Sequence, residues 1–215
     1  NIAGLGGQTV AIPFWYSIHN VVLQKILREH GLKVVEKNPQ AGEVKLSVMA
    51  PSDMVAALAN RAIAGFIVAE PFNAVAEAKG VGKVLRFSGD VWRDHACCVT
   101  LMQEHDIARR PEWVQNVVSA LVEGQAWAAG HRADTALMLS KQGPHKYTPH
   151  EDKVLQNVLA PAPEAWARYT ESGIIRHPEW HQRRIDFRPY PYPSYTEKLV
   201  EMLKETQSAG VNRFL

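Results

Sequence analysis

Through its first hundred residues the chain alternates short apolar runs with segments of helical period, and beyond Gln103 the alternation stops. Strand candidates fall at 9–12 (TVAI), 45–49 (KLSVM), 65–69 (GFIVA) and 83–87 (KVLRF), with helical period at 17–30, 52–60 and 71–79 between them. Strands and helices at this spacing imply a largely parallel sheet with helices on its faces, an α/β lobe. A fifth run, 96–102 (ACCVTLM), reads as a strand leaving or closing the sheet. After it the pattern predicts helices at 111–129, 132–141, 149–158, 164–171 and 194–206, while the prolines of 187–194 (FRPYPYPS) hold that stretch extended as a strap. The chain divides into an α/β lobe at 1–102 and a mainly helical part at 103–215. One sheet followed by helices suggests part of a two-lobed protein.

Composition narrows the class. With 215 residues, 46% apolar and 21% charged, the chain can bury a core. A formal charge of +2 from scattered basic residues argues against a nucleic-acid partner. No apolar run approaches the roughly 18 residues that a membrane span needs. Cys97 and Cys98 are adjacent, so a mutual disulfide is strained and the C-x-x-C spacing of metal ligands is absent. They read as small buried apolar side chains. His145, His150, His177 and His181 are too irregularly spaced for a metal motif.

The stretch TVAIPFWYSIHN, residues 9–20, concentrates the chemistry. Ser17 reads as the N-cap of a helix whose apolar face is Ile18, Val22, Ile26 and Leu27 and whose stop is Gly31. Ligands of open α/β sheets sit at the carboxyl ends of strands, where this helix begins. Its free N–H groups, with Ser17 and Asn20 beside them, suit a polar ligand. The helix dipole disfavours a charged His19, so a neutral ring is expected. Phe14, Trp15 and Tyr16 either wall a cleft or plug the lobe against its neighbour, and at least one of Trp15 and Tyr16 is expected to face the cleft. Glu70, after an apolar run and before Pro71, either caps a helix or faces a ligand. Asp53 reads as a dipole partner in a first helical turn. A catalytic cysteine would need an adjacent base and an oxyanion donor, and the sequence has no such elbow.

Four segments in order, LGGQTVAIPFWYSIHNVVLQKIL, MAPSDMVAALANRAIAGFIVAEPFNAVA, GDVWRDHACCVTL and RIDFRPYPYPSYTEKLVEMLKET, resemble the extracytoplasmic substrate-binding proteins of ABC importers. The resemblance is to the nitrate, sulfonate, taurine and bicarbonate group, which includes binders of the thiamine pyrimidine precursor. It implies a type II periplasmic-binding-protein fold of two lobes, matched here from the middle of the family sequence onward, without the N-terminal strands of the first lobe. It further implies a small-molecule solute, a permease partner, and a periplasmic or extracytoplasmic site. Any membrane attachment would then run through an anchor on a preceding segment or through the permease. Residue by residue it implies ligand contacts from SIHN and the Glu70–Pro71 pair. In nitrate- and bicarbonate-type relatives the stretch matching HACC carries a histidine and then a lysine, so Cys98 stands where that cation falls. The nominated ligand set is Trp15, Tyr16, Ser17, His19, Asn20, Glu70, Trp92 and Cys98, with no catalytic residue, metal or cofactor. The alternatives are a pyrimidine-synthase-like enzyme of thiamine biosynthesis on the same fold, and a ligand-sensing domain.

Overall fold

The computed structural model describes residues 1–179 and 183–208. Its contacts divide the chain into two compact units, Asn1–His95 with Ala162–Gln182 and Tyr192–Leu215, and Ala96–Pro161 with Arg183–Pro191. The first unit holds the sheet. Strands β1 (Gln8–Ile12), β2 (Lys33–Val35), β3 (Glu43–Val48) and β4 (Gly65–Phe66) lie in the order β2-β3-β1-β4, and every pairing is parallel. β1 is central: Val10 faces Leu46 of β3 and Gly65 of β4.

Burial of β1 on both faces explains its uninterrupted apolar run. Val10 and Ile12 enter a core with Val21, Val22, Ile26 and Leu27 of α1 (Ile18–Glu29) and Met202 of α10 (Pro193–Lys204). Ala11 points the opposite way, onto Met54 of α2 (Pro51–Ala59) and Phe72 of α3 (Phe72–Ala78). Period-two alternation of one strand therefore seeds two cores, giving a helix–sheet–helix sandwich. A satellite cluster follows the short α4 (Ser88–Val91) region, where Phe87 packs with Trp166 of α9 (Pro163–Glu171) and Ile175.

Two strand expectations are corrected. Residues 83–87 form no strand: Val84 and Phe87 turn inward against Trp166 and Tyr169. The three-residue spacing of Val84 and Phe87 would put them on opposite faces of a strand, whereas here both join one cluster. Residues 96–102 are also irregular, and Val99 and Leu101 are exposed. No strand among the described residues offers this run a ladder of hydrogen bonds. The run at 65–69 is a strand at Gly65–Phe66 alone, and the short β2 was not anticipated.

The second unit is helical: α5 (Glu104–Arg109), α6 (Pro111–Gly130), α7 (Arg132–Leu139) and α8 (Asp152–Leu159). Val154, Leu155, Val158 and Leu159 form the buried face of α8, which packs on α7. Arg132 anchors the proline-rich stretch to this pair. Its guanidinium donates to the carbonyls of Leu159 and Ile185 and pairs with Asp186 at 3.4 Å. Along α6, by contrast, only Ala128 is fully buried, and Trp113, Val118, Leu121, Val122 and Trp127 are exposed. No helix among the described residues is long and apolar enough to cross a membrane.

Two glycines are required by geometry. Gly31 adopts φ +72° and ends α1, with the Leu32 N–H reaching back to the Leu27 carbonyl at 2.9 Å. Gly6, at the entry to β1, meets the loop before β3 so closely that a Cβ would stand 1.8 Å from the Ala41 carbonyl oxygen. Gly6→Ala is expected to destabilise the protein by at least the roughly 1–3 kcal/mol typical of overpacking, read as a lowered urea midpoint.

Candidate functional site

Parallel pairing sends the connections after β1, β3 and β4 out of the same edge of the sheet. The α1, α2 and α3 N-termini follow those connections, so Ser17, Asp53 and Glu70 lie at the carboxyl edge. His19 and Glu70 follow adjacent parallel strands, β1 and β4.

The polar residues there are largely occupied in finishing helices. Ser17 is the N-cap of α1: its Oγ accepts from the Asn20 N–H at 3.2 Å and donates to the Phe14 carbonyl at 2.7 Å. Asn20 is completely buried, and its Nδ2 donates to the carbonyls of Trp15 (2.7 Å) and Gln207 (3.2 Å). Its Oδ1 accepts from Gln24 Nε2 at 2.8 Å, and Gln24 also donates to the Gln207 carbonyl. Asn20 thus faces the protein interior and ties α1 to the segment after α10. Glu70 lies before the cis Glu70–Pro71 bond, and its Oε2 accepts from the Ala74 N–H at 3.1 Å in the first turn of α3. Asp53 occupies the first turn of α2, as expected for a dipole partner.

Among the aromatics, Trp15 packs against the α1 core, whereas Phe14 and Tyr16 are exposed and meet edge to face at 5.1 Å. Tyr16 therefore offers ring surface at this edge and Trp15 serves packing. His19 is largely withdrawn from water, and that burial, reinforced by nearby His95, lowers it to about 4. It is a neutral ring at physiological pH. His95 in turn approaches the Ser88 hydroxyl, Nε2 to Oγ 2.9 Å. Trp92 packs on the same core and stacks on Tyr195 at 5.2 Å. Tyr195 was not singled out from the sequence, although its place in the SYTEKL segment was an available signal.

Cys98 belongs to the second unit. Cys97 and Cys98 form no disulfide and are exposed, with sulfurs 3.7 Å apart, in a correction of their reading as buried apolar residues. The cause is the missing strand at 96–102. Away from these segments, His145 and His177 are exposed and His150 is half-buried; His181 lies outside the described residues.

An α/β sheet unit with this carboxyl edge and a discontinuous chain path defines a fold shared with solute-binding proteins. The model of the NMT1-like family matches residues 4–140, and the chain belongs to that family. The nitrate/nitrite binding protein NrtA of Nostoc is 31% identical over 85 residues, 40% of this chain and 19% of NrtA. The bicarbonate transport ATP-binding protein CmpC of Synechocystis is 31% identical over 113 residues, 53% of this chain and 16% of CmpC. Among solved structures, the zinc-bound ligand-binding component of an ABC-type import system from Staphylococcus aureus aligns with a TM-score of 0.65 at 22% identity. That alignment covers 93% of this chain and 57% of the other. The periplasmic aliphatic sulphonate binding protein SsuA of Escherichia coli aligns at 0.53 with 18% identity, covering 89% of this chain and 62% of its own. These likenesses place the fold among type II periplasmic binding proteins, and the chain corresponds to part of each relative's length.

Two predictions follow from the edge. An unfolded His19 titrates near 6.5 and the folded one near 4, so below pH 6.5 the unfolded chain takes up a proton that the folded chain refuses. The His19 contribution lowers stability as pH falls from 6.5 to 4, and His19→Gln should flatten that interval in urea unfolding measured at both ends. Asn20→Ala should cost about 1–3 kcal/mol by stranding buried partners. Its thermal unfolding should shift, while solute affinity measured well below the midpoint should hold.

Proposed function

We propose that the protein is the solute-binding component of an ABC importer, trapping a small nitrogen- or sulfur-containing solute and delivering it to a permease. Membership of the NMT1-like family carries this reading. It is supported by the fold likeness to an import-system component and to SsuA, and by the local identity to NrtA. Residues 1–102 would be the second lobe and 103–215 the part returning to the first, whose remaining strands the exposed apolar face of α6 would receive. The location is periplasmic or extracytoplasmic, as SsuA is periplasmic, with membrane attachment through a lipid anchor or the permease.

Affinity in such a protein comes from burial and closure around preplaced polar groups, without chemistry on the ligand. The rival enzyme reading would use histidine and cysteine as machinery. Although the Cys97 residue reaches solvent, partial burial of its thiol and then the neighbouring Cys98 push that thiol upward, so it is protonated and weakly nucleophilic at neutral pH. That observation supports binding over covalent catalysis.

The edge favours a neutral or weakly basic flat solute. Tyr16 offers an exposed ring, His19 is neutral, and Glu70 brings a carboxylate. Calorimetry on the full-length protein with an aminopyrimidine, nitrate and taurine tests this. Aminopyrimidine binding is expected, weakened roughly tenfold by Tyr16→Ala. Micromolar nitrate binding without response to the heterocycle would overturn the solute class. Turnover of the heterocycle would overturn the transport reading.

A further inference from the structure

At the far end of α1 from His19, the first unit contains an open concavity of about 130 Å³, lined by Lys25, Glu29, Arg86, Asp90 and Arg176 among others. The twelve residues of α1 rise about 18 Å at 1.5 Å each. The last turn and Ile2, which precedes β1, mark this as the amino edge of the sheet, opposite the candidate solute site.

Its charges do not balance. Asp90 has a fully buried side chain that pairs with Arg86 Nη2 at 2.9 Å and accepts from the backbone N–H groups of Arg176 and His177 at 2.7–3.1 Å. Glu29 is paired with Lys25 one helical turn away. Both carboxylates of the concavity are thereby matched, and the Arg176 guanidinium is a surplus cation with no ion pair among the described residues. Arg86 is the sharper case. Its side chain is 13% exposed, and its buried Nη1 has no hydrogen-bond partner among the described residues. A buried guanidinium nitrogen with an unused N–H is costly to leave unsatisfied, and a planar donor beside a second guanidinium suits a multidentate oxyanion.

The geometry points to a second binding site for a small oxyanion, held by Arg86, whose buried Nη1 lacks an acceptor, and by Arg176, separate from the solute site at the opposite edge. The negative ligand supplies the acceptor that Nη1 lacks and offsets the repulsion between the two arginines. Asp90 remains the structural partner that aims Arg86.

Inorganic phosphate is the probe, titrated calorimetrically into the full-length protein. Saturable binding is expected, weakened about ten- to a hundredfold in Arg86→Gln and in Arg176→Gln, and unchanged in Tyr16→Ala. Should Arg86→Gln fail to fold because Asp90 loses its partner, Arg176→Gln decides, since that side chain is exposed and its backbone keeps the contact with Asp90. Absence of saturation in the millimolar range overturns the proposal. So does phosphate binding that survives Arg176→Gln, or that Tyr16→Ala abolishes, the latter placing the anion at the solute edge.

Discussion

Parallel pairing of β1 on both its sides is the constraint on which the sheet unit depends. A parallel neighbour cannot be reached by a tight hairpin, so each connection must cross a face of the sheet. In this chain those crossings are α1 on one face and α2 on the other, and they meet the two apolar surfaces that Val10 and Ile12, and then Ala11, present. The same rule brings three helix starts to one edge. Position at that edge is therefore a by-product of how the core is closed.

Helix starts also make demands. The first N–H groups of a helix have no partner within it, and the polar residues nearest to hand satisfy them. Ser17 and Glu70 do this for α1 and α3, while Asn20 turns inward to hold backbone carbonyls. The residues most conspicuous in the sequence are thus largely engaged in structure. Tyr16, with an open ring, and His19, kept neutral by burial and by His95, are the side chains whose state is set by the edge itself. The carboxylate of Glu70 caps α3 from its place at the carboxyl edge.

Where a signal is local, the sequence carries it. The α1 boundaries were legible because Ser17, the apolar period and Gly31 all lie within one helix. Likewise β1 was legible because burial on both faces leaves an unbroken apolar run. Residues 83–87 misled because a short run rich in apolar residues reads the same whether it pairs in a sheet or packs irregularly against α9, as Val84 and Phe87 do. The burial of Asn20 was not legible, since its partner Gln207 lies 187 residues away. Nor was the exposure of Cys97 and Cys98, which reflects a ladder partner that the run at 96–102 does not have among the described residues. The Arg86–Asp90 pairing spans one helical turn, but nothing in that spacing shows that Asp90 also holds the backbone at 176–177.

The reach of Gln24 to the Gln207 carbonyl, across 183 residues, bears on how the protein is made. Closing so long a loop carries an entropic cost that grows only with the logarithm of its length, yet it must be met before the contact rewards it. During synthesis, the strands and α1 emerge long before the segment that completes their outer face. Until then the apolar surface destined for Met202 and Leu199 stands open beside the buried amides of Asn20 and Gln24. Completion of the sheet unit therefore waits for the segment after α10, and before that segment docks the chain passes through a state in which that surface is available to chaperones or to aggregation.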